Sequence, residues 1–158
     1  MKKHDLKIDI GYWLNRLRMQ VHQSFEGRLE GYDVTIALWC ILLALYNKDA
    51  ASITELLKFI EVDKASISRV VDRLLTKELV VHQQGADRRS GHIQLTTKGK
   101  ALVPPLIQEA EENEQQFFGC LTLEEREQFR QLFYKLFLNL HSIHISGWLI
   151  NTKENEDV

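Results

Sequence analysis

The segment that decides the fold runs from Asp63 to Leu75 and reads DKASISRVVDRLL. Its apolar residues recur at intervals of three and four, which places them on one face of an α-helix. These residues are Ile67, Val70, Val71, Leu74 and Leu75. The opposite face is small and polar at its start and carries arginines further on. Because Asp63 can serve as an N-cap, we predict a helix with one buried face and one polar, basic face.

A second short helix is predicted immediately before this one. Residues Ser52 to Glu55 match the S-x-x-E capping box, in which a hydroxyl and a carboxylate satisfy backbone amides of the first turn. The helix would extend to about Ile60. Two short helices joined by a tight turn, the second presenting small polar and basic residues, are typical of a helix-turn-helix. Helix pairs in protein cores share this pattern, and a basic face is often merely solvated, so the two helices alone leave that alternative open.

A β-hairpin with arginines at its tip is predicted after the two helices. Residues 79–84 and 92–96 are rich in β-formers with alternating polarity, which indicates two half-exposed strands around a glycine-flanked turn. The turn contains Arg88 and Arg89. Arginine in a narrow minor groove gains from the negative potential there, while a helix reads base edges in the major groove. The alternative is a surface hairpin whose arginines only aid solubility.

Two helices are predicted before the helix pair. Apolar residues at helical spacing indicate an amphipathic helix that ends near Gly27 to Gly31. Asp33 then offers an N-cap for an apolar run that ends at Tyr46. This second helix is apolar nearly all round, so we expect it to be buried in the middle of the domain.

Two longer helices are predicted after the hairpin. Thr96 or Thr97 can cap the first, in which Pro104 and Pro105 predict a bend or a restart at the second proline. A capping box at Thr122 opens the last helix. Its apolar stripe comprises Phe129, Leu132, Phe133, Leu136, Phe137, Leu140 and Ile143. A stripe so rich in aromatics indicates association. We predict a homodimer joined through the N- and C-terminal helices, which presents two recognition helices to a palindromic site.

The composition is that of one ordinary globular domain. The chain has 158 residues, of which 44% are hydrophobic and 27% are charged. The net charge of −2 is unevenly distributed. Residues 63–100 contain eight basic and four acidic residues, whereas the remainder contains twelve basic and eighteen acidic ones. A basic middle between acidic ends is expected when one face meets a polyanion.

Several classes of protein are disfavoured by the sequence. The longest apolar run falls short of the roughly 20 residues of a membrane helix, and the N-terminus lacks a signal-peptide pattern, so we expect a cytoplasmic protein. Cys40 and Cys120 form no CxxC pair, which is typical of a reducing compartment. His141 and His144 are a weak metal signal, better explained as surface histidines. Since no phosphate loop, nucleophile motif or HExxH site occurs, we expect no enzymatic activity, cofactor or metal.

The order of elements and three strings resemble the MarR family of bacterial transcription regulators. The strings are DKASISRVVDRL at 63–74, GADRR at 85–89 and IQLTTKG at 93–99. The resemblance covers nearly the whole chain, from about Ile8 to His144. It implies a mainly α protein with a small β-hairpin, in which a winged helix-turn-helix is carried by an obligate dimer. It also implies a repressor released from double-stranded DNA by a small molecule, often an aromatic acid, and no enzymatic activity.

Carried over to this chain, the resemblance implies one MarR-like domain over residues 1–158. The DNA-binding lobe would span residues 33–100. Residues 6–30 and 101–146 would form the helical dimerisation region. The alternative, from a different class, is a helical protein-interaction module of the same fold that has lost DNA binding. Salt distinguishes the two, because DNA binding through several phosphates weakens steeply as salt rises.

The resemblance also implies the residues that contact DNA. Asp87 would support the wing through a charge-assisted contact with a neighbouring arginine, and Arg89, beside Arg88, would enter the minor groove. Ser52 and Thr54 would hold a phosphate at the start of the first helix of the pair. The major-groove and phosphate contacts of the second helix would come from Lys64, Ser66, Ser68, Arg69 and Arg73.

The resemblance places the effector pocket near four residues. They are Tyr12, Trp13, Arg16 and Trp39. An arginine beside aromatic rings suits an aromatic carboxylate. The alternative is that both tryptophans are core residues and that Arg16 pairs with an acid. Oxidant sensing is not expected at Cys120, since oxidant-sensing members of the family place the reactive cysteine in the first helix, where this chain has none.

Overall fold

The computed structural model describes residues 6–48, 50–59, 64–83 and 92–139. Within these ranges, a 3-10 turn and four helices come before one β-hairpin, and two helices follow it. The helices are α1 (Ile10–Glu30), α2 (Ile36–Tyr46), α3 (Ile53–Phe59), α4 (Lys64–Thr76), α5 (Thr97–Phe118) and α6 (Leu123–Asn139). The strands are β1 (Val80–His82) and β2 (Ile93–Leu95). This architecture confirms the predicted fold class, mainly α with a small β-hairpin.

Helix α2 is the centre of the core, as its all-round apolar sequence predicts. Leu38, Ile41 and Leu42 are completely buried. The helix packs against α1, α3, α4, α5 and β2, so each surrounding element buries its apolar side on the same helix. Full burial of one such side chain stabilises the fold by about 2 kcal/mol relative to an exposed one.

The start of α2 differs from the prediction. Its N-cap is Thr35, whose hydroxyl accepts a hydrogen bond from the backbone N–H of Leu38 at 3.4 Å. The predicted cap, Asp33, has a φ of 54°, whereas an N-cap residue needs extended backbone. Its carboxylate pairs instead with the ammonium of Lys77, just beyond α4. The assignment of Asp33 as the cap was therefore wrong because the turn after α1 is longer than expected.

Helix α5 runs unbroken through both prolines, so the predicted restart at Pro105 is wrong. The missing amides of Pro104 and Pro105 leave the carbonyls of Lys100 and Ala101 without their helical partners. Both of those residues are exposed, so water can hydrate the freed carbonyls. The prolines therefore cost hydrogen bonds without leaving buried polar groups unsatisfied.

The hairpin is antiparallel, with Val80 opposite Leu95. Val80, Ile93 and Leu95 are buried, whereas Gln94 is exposed, which confirms the predicted half-exposed strands. The backbone N–H of Ile93 donates to the carbonyl of Ala51 at 2.9 Å. This bond fixes the hairpin to the segment that opens α3. The predicted tip, residues 85–91, lies outside the described residues.

Gly99 permits the close approach of α5 to the base of the hairpin. A Cβ atom at position 99 would lie 2.1 Å from the carbonyl oxygen of Leu79, a distance that no real contact tolerates. That oxygen also accepts hydrogen bonds from the backbone N–H of Thr96 at 3.1 Å and from its hydroxyl at 3.2 Å. The same hydroxyl caps α5, since it accepts a bond from the N–H of Gly99 at 2.9 Å.

We therefore predict that Gly99→Ala destabilises the protein by about 1–3 kcal/mol, because the junction must open to admit a methyl group. Thermal and urea unfolding measure the change. The control is Gly27→Ala in α1, where an added Cβ meets nothing within 4 Å. That variant should be neutral or more stable by up to about 1 kcal/mol, since alanine favours helix. Equal stability of Gly99→Ala and the parent would contradict the steric argument.

Candidate nucleic-acid interface

Helix α4 has the two faces that its sequence predicts. Ile67, Val71 and Leu74 are buried on the inner side, where the helix packs against α2 and α3. Arg69 and Arg73 are exposed on the outer side. Burial of the apolar stripe thus fixes the rotation of the helix about its axis, and that rotation turns both guanidinium groups outward.

The outer face of α4 presents two arginines, of which Arg73 is near enough to Asp33 for its charge to lower the pKa of that carboxyl. In the described part of the chain, no carboxylate lies within ion-pair distance of Arg69 or Arg73. Ser66 and Ser68 are partly exposed one turn or less from Arg69, and both have contacts of their own. Lys64 begins the helix, and its side chain lies outside the described residues. Solvated arginines beside small polar side chains can meet phosphates and base edges without losing an internal salt bridge.

The start of α3 is a complete capping box, as predicted. The Glu55 carboxylate accepts from the backbone N–H of Ala51 at 2.8 Å and of Ser52 at 3.0 Å. In return, the Ser52 hydroxyl accepts from the N–H of Glu55 at 3.3 Å. The hydrogen bonds from the Ala51 amide and the Ser52 hydroxyl hold the pKa of Glu55 below its ordinary value, so the carboxylate stays charged near neutrality.

Ser52 has its predicted capping role, and its predicted phosphate contact stays a prediction. Its side chain is buried, and its hydroxyl donates to the Glu55 carboxylate at 3.1 Å. A phosphate at this point would be repelled by the Glu55 carboxylate, to which the backbone N–H groups of Ala51 and Ser52 already donate. Thr54, two residues after Ser52, is exposed. Its predicted contact with DNA stays a prediction.

The last three predicted contact residues are Asp87, Arg88 and Arg89. All three lie outside the described residues. The structure does give the base from which they extend, since β1 and β2 are paired and β2 is bonded to Ala51. Their predicted roles at the wing tip stay predictions.

Two polar contacts that sequence reasoning missed tie the end of α4 to the rest of the chain. The Lys77 ammonium bonds the Asp33 carboxylate, and this hydrogen bond, with the Lys77 charge, lowers the pKa of Asp33. The Lys98 ammonium donates to the carbonyl of Lys77 at 2.9 Å. These residues are 44 and 21 positions apart in the chain, so no local pattern signals the contacts.

A second missed cluster holds α1 to α5. The Arg28 guanidinium donates to Glu112 at 2.9 Å, to Glu109 at 3.3 Å and to Gln116 at 3.0 Å. The Tyr32 hydroxyl donates to Glu109 at 3.2 Å. The acidic face of α5 is therefore partly neutralised by α1 within the same chain.

Three of the four predicted effector residues lie together. The Arg16 guanidinium donates to the Tyr12 hydroxyl at 3.0 Å and lies 5.7 Å from the Tyr12 ring centre and 6.0 Å from that of Trp13. Trp39 is in the core, edge-on to Phe25 at 6.1 Å between ring centres. Phe25 is thirteen residues from Tyr12 on the same helix, or roughly 20 Å along its axis. The structure therefore does not bring Trp39 to the other three within one chain.

The two cysteines lie in different environments. Burial raises the pKa of the Cys40 thiol, which keeps it protonated and unreactive. Cys120 is exposed in the turn after α5. Within the described ranges, no three His, Cys, Asp or Glu side chains are grouped so as to hold a metal ion. His141 and His144 lie outside those ranges.

The fold and the α4 face define a class of protein, the winged helix-turn-helix proteins. The sequence profile of the MarR family matches residues 32–90. The transcriptional repressor NicR of Pseudomonas putida is 29% identical over 124 residues, which is 78% of each chain. In these residues the chain is similar to the MarR family of transcription regulators.

Solved structures support the same fold. BpsR of Bordetella bronchiseptica, described with regulation of its DNA binding by 6-hydroxynicotinic acid, is 27% identical with a TM-score of 0.75. The match covers 86% of this chain and 99% of BpsR. The Staphylococcus aureus MepR–DNA complex matches with a TM-score of 0.75 at 24% identity, over 85% of this chain and 98% of MepR. No helix among the described residues is long and apolar enough to span a bilayer.

Proposed function

We propose that this protein is a homodimeric, sequence-specific DNA-binding regulator that represses transcription from a palindromic operator. The observation that carries the proposal is the outer face of α4, where Arg69 and Arg73 are exposed and unpaired within the described residues. The inner face of the same helix is locked into the core. The naming of NicR as a repressor and the complex of MepR with DNA support this proposal.

In this proposal, the two arginines meet the major groove and its flanking phosphates, and Ser66 and Ser68 approach base edges beside them. Lys64 adds a phosphate contact at the start of the helix. Arg89, supported by Asp87 and flanked by Arg88, enters the minor groove. Because β2 is bonded to Ala51 just before α3, the wing and the helix pair approach DNA as one unit.

We predict that Arg69→Ala and Arg73→Ala each weaken operator binding by about tenfold or more, because each removes a charged contact. The slope of log affinity against log salt should become shallower by about 0.9 for each phosphate contact that is lost. Fluorescence anisotropy measures both effects on DNA selected by the protein from its source genome. The control is Arg18→Ala, which removes an exposed arginine of α1.

Unchanged affinity in both variants would remove the α4 face from the mechanism. If the protein enriches no DNA fragment even at low salt, the chain is instead a helical protein-interaction module of the same fold. In that case its partner binding should respond little to salt.

The proposed dimer rests on helix α6. Not one of its residues is buried, although it carries a run of leucines and phenylalanines. A groove of about 810 Å³ lies between α6 and the start of α1, and Ile10, Leu14, Leu132 and Leu136 line it. Leu132 is 60% exposed and Leu136 is 55% exposed. An exposed apolar surface of this size usually marks an interface. In a two-fold dimer, α1 and α6 of each protomer would cover this groove on the other.

We predict that Leu136→Asp raises the dimer dissociation constant by roughly a hundredfold, since a carboxylate would be buried on both sides of the two-fold axis. Sedimentation equilibrium measures the constant. The folded monomer should persist, because Leu136 is exposed in a single chain. Gln131→Asp adds the same charge outside the groove and should leave the dimer intact. A dimer unaffected by Leu136→Asp would place the interface elsewhere.

We propose that a small aromatic acid releases the protein from DNA by binding at Arg16. This guanidinium is exposed beside two aromatic rings and, in the described part of the chain, is not ion-paired with a carboxylate. Regulation of BpsR by 6-hydroxynicotinic acid supports this ligand class. Effector and DNA would favour different spacings of the two DNA-binding lobes.

We predict that 6-hydroxynicotinic acid, used as the probe, displaces labelled operator DNA. In Arg16→Gln the concentration for half release should rise about tenfold, because a charged hydrogen bond is lost. Arg18→Gln is the matched control, two residues away. If Arg16→Gln releases DNA like the parent, the effector binds at another site.

A further inference from the structure

A second groove, of about 610 Å³, lies among the elements of the proposed DNA-binding lobe and the start of α5. It is bounded by the end of α2, the segment before α3, the hairpin and the start of α5. Its apolar lining includes Leu45, Ala50, Ile93 and Leu95, and its rim includes Lys48 and Lys100. Among the described residues, no predicted DNA-contact or effector residue lines it.

The rim carries two positive charges that the groove does not neutralise. Lys48 and Lys100 are both exposed. In the described part of the chain, neither ammonium has a carboxylate within 4.0 Å. Gln83 and Gln94 add side-chain amides to the same rim. The groove therefore combines cations and hydrogen-bond donors with an apolar floor, to which Tyr46 and Leu45 contribute the accessible surface above buried Ile93.

The backbone at Lys48 has a conformation that favours glycine. Its φ is 63°, and its N–H donates to the carbonyl of Leu45 at 3.3 Å, just after the end of α2. Glycine is the usual residue at such a position because a Cβ atom is strained there. This turn after α2 places Lys48 in the lining of the groove.

We propose that this groove binds an organic anion, a carboxylate or a phosphate monoester attached to a flat apolar body. The anionic group would pair with the Lys48 and Lys100 ammonium groups, and the body would lie on the apolar floor. The floor includes Ile93, whose N–H bonds the carbonyl of Ala51. The ligand would therefore rest on the junction that joins the hairpin to the start of α3.

The test is isothermal titration calorimetry of the full chain without DNA. The two complete probes are naphthalene carboxylate and naphthyl phosphate, and their comparison identifies the preferred anionic group. Naphthyl methanol, which lacks the anion, and inorganic phosphate, which lacks the apolar body, are partial probes. At least one of the two complete probes should bind, and each partial probe should bind about tenfold more weakly or not at all. Backbone amide resonances of Ala51, Gln94 and Leu95 should shift on binding.

The double variant Lys48→Gln, Lys100→Gln should weaken binding of the complete probe by about tenfold or more. Lys98→Gln removes a lysine from α5 outside the groove, and Arg16→Gln removes the proposed effector contact, so both should bind like the parent. Equal binding by naphthyl methanol, equal binding by the double variant, or shifts confined to α1 and α6 would each overturn the proposal. So would failure of both complete probes to bind. Because no DNA is present, these outcomes are independent of the proposed operator binding.

Discussion

The carbonyl oxygen of Leu79 is the contact that joins the base of the hairpin to the start of α5. It accepts two hydrogen bonds from Thr96 and lies so near Gly99 that no side chain fits between them. The chain leaves α4 at one side of this point and enters α5 at the other. One contact therefore fixes the base of the hairpin, the start of α5 and the distance between them. The direction of the hairpin and its attachment to α5 both depend on this contact.

The features that were predicted correctly are those with a local cause. The stripe of α4 requires only helical spacing, and the boxes at Ser52 and Thr122 require only residues three apart. The family resemblance added the order of the elements. The restart predicted at Pro105 is an error despite its local cause, whereas the error at Asp33 concerns a residue whose role is set by a distant part of the chain. Asp33 was assigned as a cap because its partner Lys77, 44 residues away, is invisible to a local pattern.

The candidate site was predictable to the same extent. Arg69 and Arg73 face outward because the stripe beneath them is buried, and sequence shows that stripe. The sequence signal at Ser52, a hydroxyl at a helix start, is the same for a cap and for a phosphate contact. The distances to Glu55 confirm the cap, and the phosphate contact stays a prediction. Trp39 and Trp13 likewise share a residue type, and only tertiary packing puts one in the core and the other at the surface.

Exposed ion pairs supplement the apolar core that joins α2 to α1 and α5. Asp33 is 86% exposed where it meets Lys77, and Glu112 is 51% exposed where it meets Arg28. Exposed ion pairs contribute only about 0–1 kcal/mol each, and salt weakens them further. The apolar core around α2 includes Leu29 of α1 and Val103 and Leu106 of α5, all completely buried. This core therefore holds the elements together, and the exposed ion pairs add little to its stability.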